Sequence, residues 1–295
     1  MANKLIEIRW HGRGGQGAVT SAELTALAAI GEGKFATASP SFGPERRGAP
    51  VMAFNRISKD EPIRTRTAVT EPDIVVVLDP GLLDIINITH GLKDDGTVIV
   101  NSSKGLADIR SQLDGPWRLA VVDASTIALE ELKVPIVNTT MLGALVKATN
   151  IINLESLSQP IEERFGRLAE RNIKACHRAY KEASIAEPSV VSKKPEKIYA
   201  AEKLPSWQEL APGFVVTETG NARSYRTGDW RAERPIWNQD RCIKCGICSL
   251  LCPEDCISQD EQGYFEADLY YCKGCGICAR ECWTQAITMV AEAKE

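Results

Sequence analysis

The chain has 295 residues, 44% of them hydrophobic, with a formal net charge of −4 and a pI of about 5.6. This length allows one substantial core and a smaller second domain. The acidic balance and scattered basic residues argue against nucleic acid or an anionic membrane as a partner. No apolar run approaches the roughly 18–20 residues that span a bilayer. The first residues enter a strand pattern without a signal peptide, so we expect a cytoplasmic protein.

Residues 1–185 are predicted to form an α/β domain. A strand over Leu5–Trp10 is followed by a glycine-rich turn and then by an Ala- and Leu-rich helix over Ala18–Ile30. This alternation predicts a doubly wound, mainly parallel sheet with right-handed crossovers. Further strands are predicted over residues 51–57, 73–78, 97–100 and 119–122, helices over 82–89 and 125–132, and a helical segment from 138 to about 183.

Two further regions follow this domain. Residues 186–234 carry several prolines and few buried apolar patterns, which predicts an extended linker and an arm that wraps a surface. A strand-like patch is predicted near residues 214–217. Residues 235–295 are predicted to form a small α+β domain of the bacterial ferredoxin type.

Nine of the ten cysteines lie between Cys242 and Cys282. Because a cytosol keeps thiols reduced, such clustering indicates metal binding rather than disulfides. The spacing C-x2-C-x2-C-x3-C occurs twice, with an offset of 30 residues, and is the run of two-cluster ferredoxins. Three close thiolates hold one [4Fe–4S] cluster and the fourth ligates the other. The predicted ligand sets are Cys242, Cys245, Cys248 and Cys282 for one cluster, and Cys272, Cys275, Cys278 and Cys252 for the second.

The main alternative for these cysteines is structural zinc, which uses only four thiolates and leaves half of the cysteines unexplained. Cys256 corresponds to Ala286 in the repeat, so we expect a small buried side chain beside a cluster. A redox role or a role as an alternative ligand for Cys256 stays open. Cys176, outside the cysteine block, is interpreted as filler without a site.

The turn at Gly12–Gly17 satisfies G-x-G-x-x-G between a strand and a helix. A dinucleotide site also needs an acidic residue roughly 20 positions further on, and Phe35–Pro40 contains none. A nicotinamide site is therefore disfavoured. Two interpretations of the turn remain: a purely structural role, and contact with an anion or a partner. The paired arginines in Ser39–Pro50 suggest either a plain surface loop or contact with a phosphate-bearing ligand or acidic partner. The candidate ligand-binding residues are Gly12, Arg13, Gly14, Gly15, Gln16, Gly17, Arg46 and Arg47.

Two motifs together resemble a known family. The segments Arg9–Thr20 and Ser41–Pro50 resemble the gamma subunit of pyruvate:ferredoxin oxidoreductase and related 2-oxoacid oxidoreductases. The segment Tyr225–Arg231, followed by the eight-cysteine block, resembles the delta subunit of the same enzymes. The chain therefore looks like a fusion of gamma and delta subunits.

This resemblance implies a place in a larger complex. Alpha and beta subunits would hold thiamine diphosphate and magnesium and decarboxylate a 2-oxoacid. Two [4Fe–4S] clusters would then pass electrons to external ferredoxin, with coenzyme A contacting the gamma domain. Pyruvate is the first expected substrate, and oxalate or another 2-oxoacid is the alternative. An alternative of another class is a free-standing ferredoxin-like electron carrier with an appended binding domain.

The chain is not expected to be catalytic alone. A thiamine diphosphate site needs G-D-G followed by an asparagine pair, and Gly228–Trp230 is the nearest match in the sequence. The three histidines, at positions 11, 90 and 177, are far apart and suggest no nucleophile–base pair.

Overall fold

The computed structural model describes residues 5–41, 48–113, 115–188, 206 and 208–292. The chain divides into two compact units, Met1–Tyr199 and Ala200–Glu295. The three-part division with boundaries after residues 185 and 234 stays a prediction. None of the helices within the described ranges is long and apolar enough to cross a bilayer.

The first unit is built on a seven-stranded sheet with the order β2-β3-β1-β4-β5-β6-β7. Four central strands, β1, β4, β5 and β6, run parallel, while β2, β3 and β7 pair antiparallel towards the two edges. The strands are β1 (Ile6–Arg13), β2 (Phe35–Pro40), β3 (Pro50–Ser58), β4 (Ile74–Val77), β5 (Thr97–Asn101), β6 (Arg118–Val122) and β7 (Ser184–Ala186). The predicted α/β class is confirmed, and the antiparallel edge strands β2 and β7 are additions to it.

Helices cover both faces of this sheet. In β4, Ile74 and Val76 enter one hydrophobic core, and Val75 and Val77 enter the other, because successive side chains of a strand point to opposite faces. The continuous apolar run of this strand is thereby explained. The helices are α1 (Ala18–Gly31), α2 (Leu82–Ile85), α3 (Leu106–Gln112), α4 (Ala124–Leu132), α5 (Asn138–Thr149), α6 (Ser158–Phe165) and α7 (Ala169–Glu182).

The second unit reproduces the sequence duplication in its backbone. The first strand of each half pairs antiparallel with the last strand of the other half, as β8 with β11 and β10 with β9. Left-handed φ angles recur at the 30-residue offset, 59° at Lys244 and 65° at Gly274, then 50° at Asp255 and 51° at Gln285. The elements are β8 (Glu233–Trp237), α8 (Ile247–Leu250), β9 (Ile257–Gln259), β10 (Phe265–Ala267), α9 (Ile277–Arg280) and β11 (Ile287–Ala291).

The described part of the predicted arm, residues 208–232, belongs to this second unit. It contains short 3₁₀ helices at Pro212–Phe214, Asn221–Ser224 and Thr227–Trp230. The strand predicted near residues 214–217 is wrong, since this stretch has no strand partner among the described residues. The rest of the predicted linker, residues 189–205, lies outside the described residues.

Candidate functional site

The first of two cysteine-lined cavities lies beside α8. Four thiols border it, together with apolar side chains, and its volume is about 380 Å³. Three thiols come from one half of the duplication and the fourth from the other half, because the paired strands bring the two halves together. The lining cysteines are Cys242, Cys245, Cys248 and Cys282.

The second cavity is the counterpart of the first across the duplication, and its volume is about 340 Å³. Its three closely spaced thiols come from the second half, and Cys252 comes from the first. A fifth thiol, that of Cys256, also borders this cavity. The lining cysteines of the predicted set are Cys272, Cys275, Cys278 and Cys252.

Some of the thiols around these cavities are poorly solvated, whereas Cys245 and Cys275 are exposed. Burial raises the pKa of Cys278 to about 12 and also raises that of Cys248. Burial acts against Cys282 as well, but hydrogen bonds from Thr284 and from the N–H of Ala286, 3.2 Å from its Sγ, bring its pKa below the ordinary value. Thiolates in such surroundings need a nearby positive charge, which bound metal supplies.

A buried donor at the first cavity fits a sulfur-rich group. The indole Nε1 of Trp237, a lining residue, is buried and has no hydrogen-bond partner among the described residues. It lies close enough to Cys248 to oppose the effect of burial on that thiol's pKa. No three metal-binding side chains in the described ranges converge on a single point, as the ligands of one metal ion do. Each cavity is instead lined by four cysteines of one predicted set, and such a set of thiolates fits an iron–sulfur cluster.

The arm is fastened beside the second cavity. The N–H of Gly228 donates to the carbonyl of Tyr270 at 2.8 Å, and the Arg231 guanidinium donates to the carbonyl of Cys272 at 3.0 Å. Lys273, which lines the cavity, pairs with Glu254 at 2.6 Å. The arm is thus bonded through Arg231 to Cys272, one of the residues that line this cavity.

The glycine turn of the first unit is held together by an internal polar network. The carboxylate of Asp79, at the end of β4, accepts from Arg13 Nε at 3.1 Å and from Gln16 Nε2 at 2.7 Å. The Oε1 of Gln16 also accepts from the backbone N–H of Arg13 at 2.7 Å. The side chain of Arg13 is only 4% exposed. These hydrogen bonds of Arg13 and Gln16 fix the shape of the turn, and the predicted binding of a ligand by the two residues stays a prediction.

Backbone conformation explains the glycine at the end of this turn. Gly17 has a left-handed φ of 84°, and a Cβ there would lie 2.7 Å from Nδ2 of Asn138. The backbone N–H groups of Gly15 and Gly17 have no partner among the described residues. An anion at this turn would therefore be bound by backbone N–H groups at the start of α1.

The topology around the turn differs from that of a dinucleotide-binding domain. The strand after α1 is β2, which lies at the sheet edge and is separated from β1 by β3. A dinucleotide fingerprint needs a βαβ unit with adjacent parallel strands. The disfavoured nicotinamide interpretation thus loses its structural basis. Arg46 and Arg47 lie outside the described residues, and their predicted role stays a prediction.

Sequence reasoning missed Asp79, which belongs to this network, and Asn101, which ends the neighbouring strand β5. The Nδ2 of Asn101 donates to the carbonyl of Leu78 at 2.8 Å and to Oγ of Ser125 at 2.9 Å. Both residues end parallel strands, where polar side chains of neighbouring strands meet at one edge of the sheet. The polar residue directly after each apolar run was the signal that could have found them.

Comparison with known proteins decides the family. The family model described as pyruvate ferredoxin/flavodoxin oxidoreductase matches residues 7–182, more than half of the chain. The chain belongs to the pyruvate ferredoxin/flavodoxin oxidoreductase family. A second model, the 4Fe-4S binding domain, matches residues 235–258. The predicted resemblance is confirmed, and the chain is a subunit-type member of this oxidoreductase family, whose relatives are parts of multi-subunit complexes.

Two curated relatives of the oxidoreductase family match the first unit. The pyruvate/ketoisovalerate oxidoreductases common subunit gamma of Pyrococcus furiosus is 52% identical over 185 residues, which cover 62% of this chain and 100% of the relative. Pyruvate synthase subunit PorC of Methanothermobacter thermautotrophicus is 51% identical over 179 residues, 60% of this chain and 96% of the relative. Both alignments leave more than a third of this chain uncovered, in keeping with an additional module.

Two solved structures are also similar to this chain. The crystal structure of pyruvate oxidoreductase subunit PORC from Thermotoga maritima is 41% identical, with a TM-score of 0.56, over 62% of this chain and 99% of that chain. The 2-oxoglutarate:ferredoxin oxidoreductase from Magnetococcus marinus has a TM-score of 0.52 and covers 83% of this chain and 37% of that chain. At 17% identity it shows a likeness of fold alone.

Proposed function

We propose that this chain is the fused gamma and delta subunit of a thiamine diphosphate-dependent 2-oxoacid:ferredoxin oxidoreductase. The observation that carries the proposal is the pair of four-cysteine cavities in a chain whose first unit belongs to the oxidoreductase family. Pyruvate is the proposed substrate of the complex, in keeping with the names of the gamma-type relatives. Oxalate or another 2-oxoacid is the alternative within the same proposal.

Each cavity is proposed to hold one [4Fe–4S] cluster, a group that carries one electron at a time. The chain's residues would supply thiolates, exclude water and donate hydrogen bonds to sulfur, three influences that set cluster potential. The N–H of Ala286 already donates to Cys282 Sγ at 3.2 Å. The proposed ligand sets are Cys242, Cys245, Cys248 and Cys282 for the first cluster, and Cys272, Cys275, Cys278 and Cys252 for the second.

Zinc fits this arrangement less well. A structural zinc site binds four thiolates of its own, commonly as two C-x2–4-C pairs. Here each cavity draws on a run of three cysteines and one cysteine from the other half of the duplication. That crossed supply is the pattern of two-cluster ferredoxins.

The first unit is proposed to serve as the docking and ligand-facing part. The unpartnered N–H groups of Gly15 and Gly17 at the start of α1 would take an anion, such as a phosphate of coenzyme A. Arg13 and Gln16, also proposed to belong to this ligand site, would fix the shape of the turn. Arg46 and Arg47 keep the proposed role of contacting a phosphate or an acidic partner.

Iron analysis and co-purification test this proposal together. We expect about eight iron atoms per chain after anaerobic preparation, as two [4Fe–4S] clusters require. Purified from its source, the chain should elute with larger thiamine diphosphate-binding chains, and the complex should oxidise pyruvate with external ferredoxin as acceptor. A screen of other 2-oxoacids with and without coenzyme A identifies the substrate. Zinc in place of iron, or elution of the chain alone, would refute the proposal.

A further inference from the structure

The second cavity is bordered by five cysteines, one more than its proposed cluster needs. The Sγ of Cys256 lies 3.6 Å from Sγ of Cys252, and both face this cavity. Cys256 is buried, with only 7% of the residue exposed to solvent. In the first cavity, the position equivalent to Cys256 is occupied by Ala286, beside Cys282. The two cavities therefore differ by one sulfur at matched positions.

The backbone holds these two positions in the same way. The carbonyl of Cys256 accepts from the N–H of Asp268 at 2.7 Å, and the carbonyl of Ala286 accepts from the N–H of Asn238 at 2.7 Å. These donors are themselves 30 residues apart, as are the two acceptors. Residue 255 donates to the carbonyl of Cys252 at 3.2 Å and residue 285 to that of Cys282 at 2.9 Å. At this position the two cavities thus differ in the side chain: the second cavity has the thiol of Cys256, and the first has the methyl group of Ala286.

We propose that Cys256 is a reserve ligand of the second cluster, able to replace Cys252 on the same iron. The proposal rests on the proposed function, in which this cavity holds a [4Fe–4S] cluster. The exchange needs no oxidant or reductant. Cys256 gives its proton to solvent and forms one Fe–S bond, while the Fe–S bond of Cys252 breaks and its sulfur takes up a proton. The two sulfurs are 3.6 Å apart and border the same cavity, so a cluster held there would be within reach of either thiolate.

The duplication supplies a matched test by alanine substitution of the fourth cysteine in each half. We expect the Cys252→Ala chain to keep about eight iron atoms and the paramagnetic resonance signals of two reduced [4Fe–4S] clusters, because Cys256 completes the ligand set. The Cys282→Ala chain has no additional cysteine beside the first cavity. It should therefore lose between one iron atom and about half of its total iron. The double variant Cys252→Ala/Cys256→Ala should lose iron to the same extent as Cys282→Ala.

A gain-of-function variant makes the test reciprocal. Adding Ala286→Cys to Cys282→Ala should restore the iron content and the signal of the first cluster, since the backbone at residues 256 and 286 is matched. Cys256→Ala alone should keep both clusters, because Cys252 is present. The surviving signal of the other cluster in each depleted variant shows that the module is still folded.

The outcomes separate this inference from the proposed function. If the unsubstituted chain itself lacks two clusters, the proposed function fails. If that chain has both clusters but Cys252→Ala loses as much iron as the double variant, only the reserve-ligand proposal is overturned. Loss of the second cluster in Cys256→Ala alone would also overturn it, since Cys256 would then be a primary ligand.

Discussion

At the scale of single residues, strand β1 buries a row of polar side chains on one face. Ile8 and Trp10 enter the hydrophobic core, so Arg9, His11 and Arg13 point to the opposite face, where all three are nonetheless buried. The two arginines have different partners. Arg13 forms an ion pair with Asp79, whereas Arg9 donates hydrogen bonds to backbone carbonyls and to Nε2 of His11 at 3.0 Å. The histidine is the member of this row whose charge is most sensitive to pH.

His11 is expected to weaken the fold in acid. Burial, and secondarily the charge of Arg9, lowers the pKa of His11 from 6.5 to about 3. Between these values the unfolded chain binds a proton that the folded chain does not, so stability falls as the pH is lowered from 6.5 towards 3. His11→Gln removes this contribution. From pH 7 to pH 5 the substituted chain should lose about 2 kcal/mol less unfolding free energy than the unsubstituted chain.

The measurement is urea unfolding at both pH values, followed by circular dichroism. His177→Gln serves as the control, because that half-buried residue lies on α7, away from the row on β1. The control should keep the pH dependence of the unsubstituted chain. An equal loss of stability in the His11→Gln chain would contradict the assignment.

At the scale of elements, the surface on which the arm lies is the feature that the sequence did not predict. The prolines and sparse apolar pattern of residues 186–234 indicated a wrapping segment, but the surface it wraps depends on contacts distant in sequence. Thr227 and Gly228 are buried, and Arg231 bonds Glu292, Leu269 and Cys272. No periodicity encodes such contacts, since they depend on the Glu292 carboxylate and on the backbone carbonyls of Leu269 and Cys272, all distant in sequence.

Gly228 is expected to control the docking of the arm. An added Cβ there would lie 2.2 Å from the carbonyl oxygen of Leu269 and 2.7 Å from that of Tyr270. Neither backbone group can move easily. Gly228→Ala should therefore push the arm away from the cysteine module and break the Gly228–Tyr270 hydrogen bond. The combined cost of overpacking and one lost bond is about 2 kcal/mol. Amide exchange across residues 221–231, followed by mass spectrometry, should accelerate at least roughly tenfold.

The matched control is Gly220→Ala in the same arm. Gly220 has a left-handed φ of 70°, but a Cβ there meets nothing within 4 Å. This variant carries backbone strain of about 1 kcal/mol without a clash, so its exchange should rise less. If both variants exchange alike, packing at Gly228 does not hold the arm.

At the scale of the whole molecule, the sequence predicted those features that follow a regular pattern. The 30-residue repeat predicted which cysteines share a cavity, and the structure brings those two sets together. The apolar runs predicted three of the four parallel strands, β4, β5 and β6. Strand β2 was missed because its residues are only half-buried, so no apolar run marks it. The internal role of Arg13 was missed because its partner, Asp79, lies 66 residues away.

The segment Gly228–Trp230 is the nearest match to a thiamine diphosphate motif in this chain. In Gly228–Trp230, the glycine packs against the cysteine module and Asp229 pairs with Arg226 at 3.0 Å. These residues hold the arm in place, which is a different task from binding a diphosphate through magnesium. The decarboxylation site is therefore proposed to lie on partner subunits, and this chain is proposed only to receive electrons.

The isolated chain, loaded with iron and sulfide, should thus remain oxidised when mixed with pyruvate, thiamine diphosphate, Mg²⁺ and coenzyme A. Dithionite should bleach the visible absorbance of the same sample, which shows that its clusters accept electrons. Adding the thiamine-binding chains that co-purify with it should make pyruvate an effective reductant, because the missing site is then supplied. Bleaching of the isolated chain by pyruvate alone would place the decarboxylation chemistry within these 295 residues and refute the division of labour.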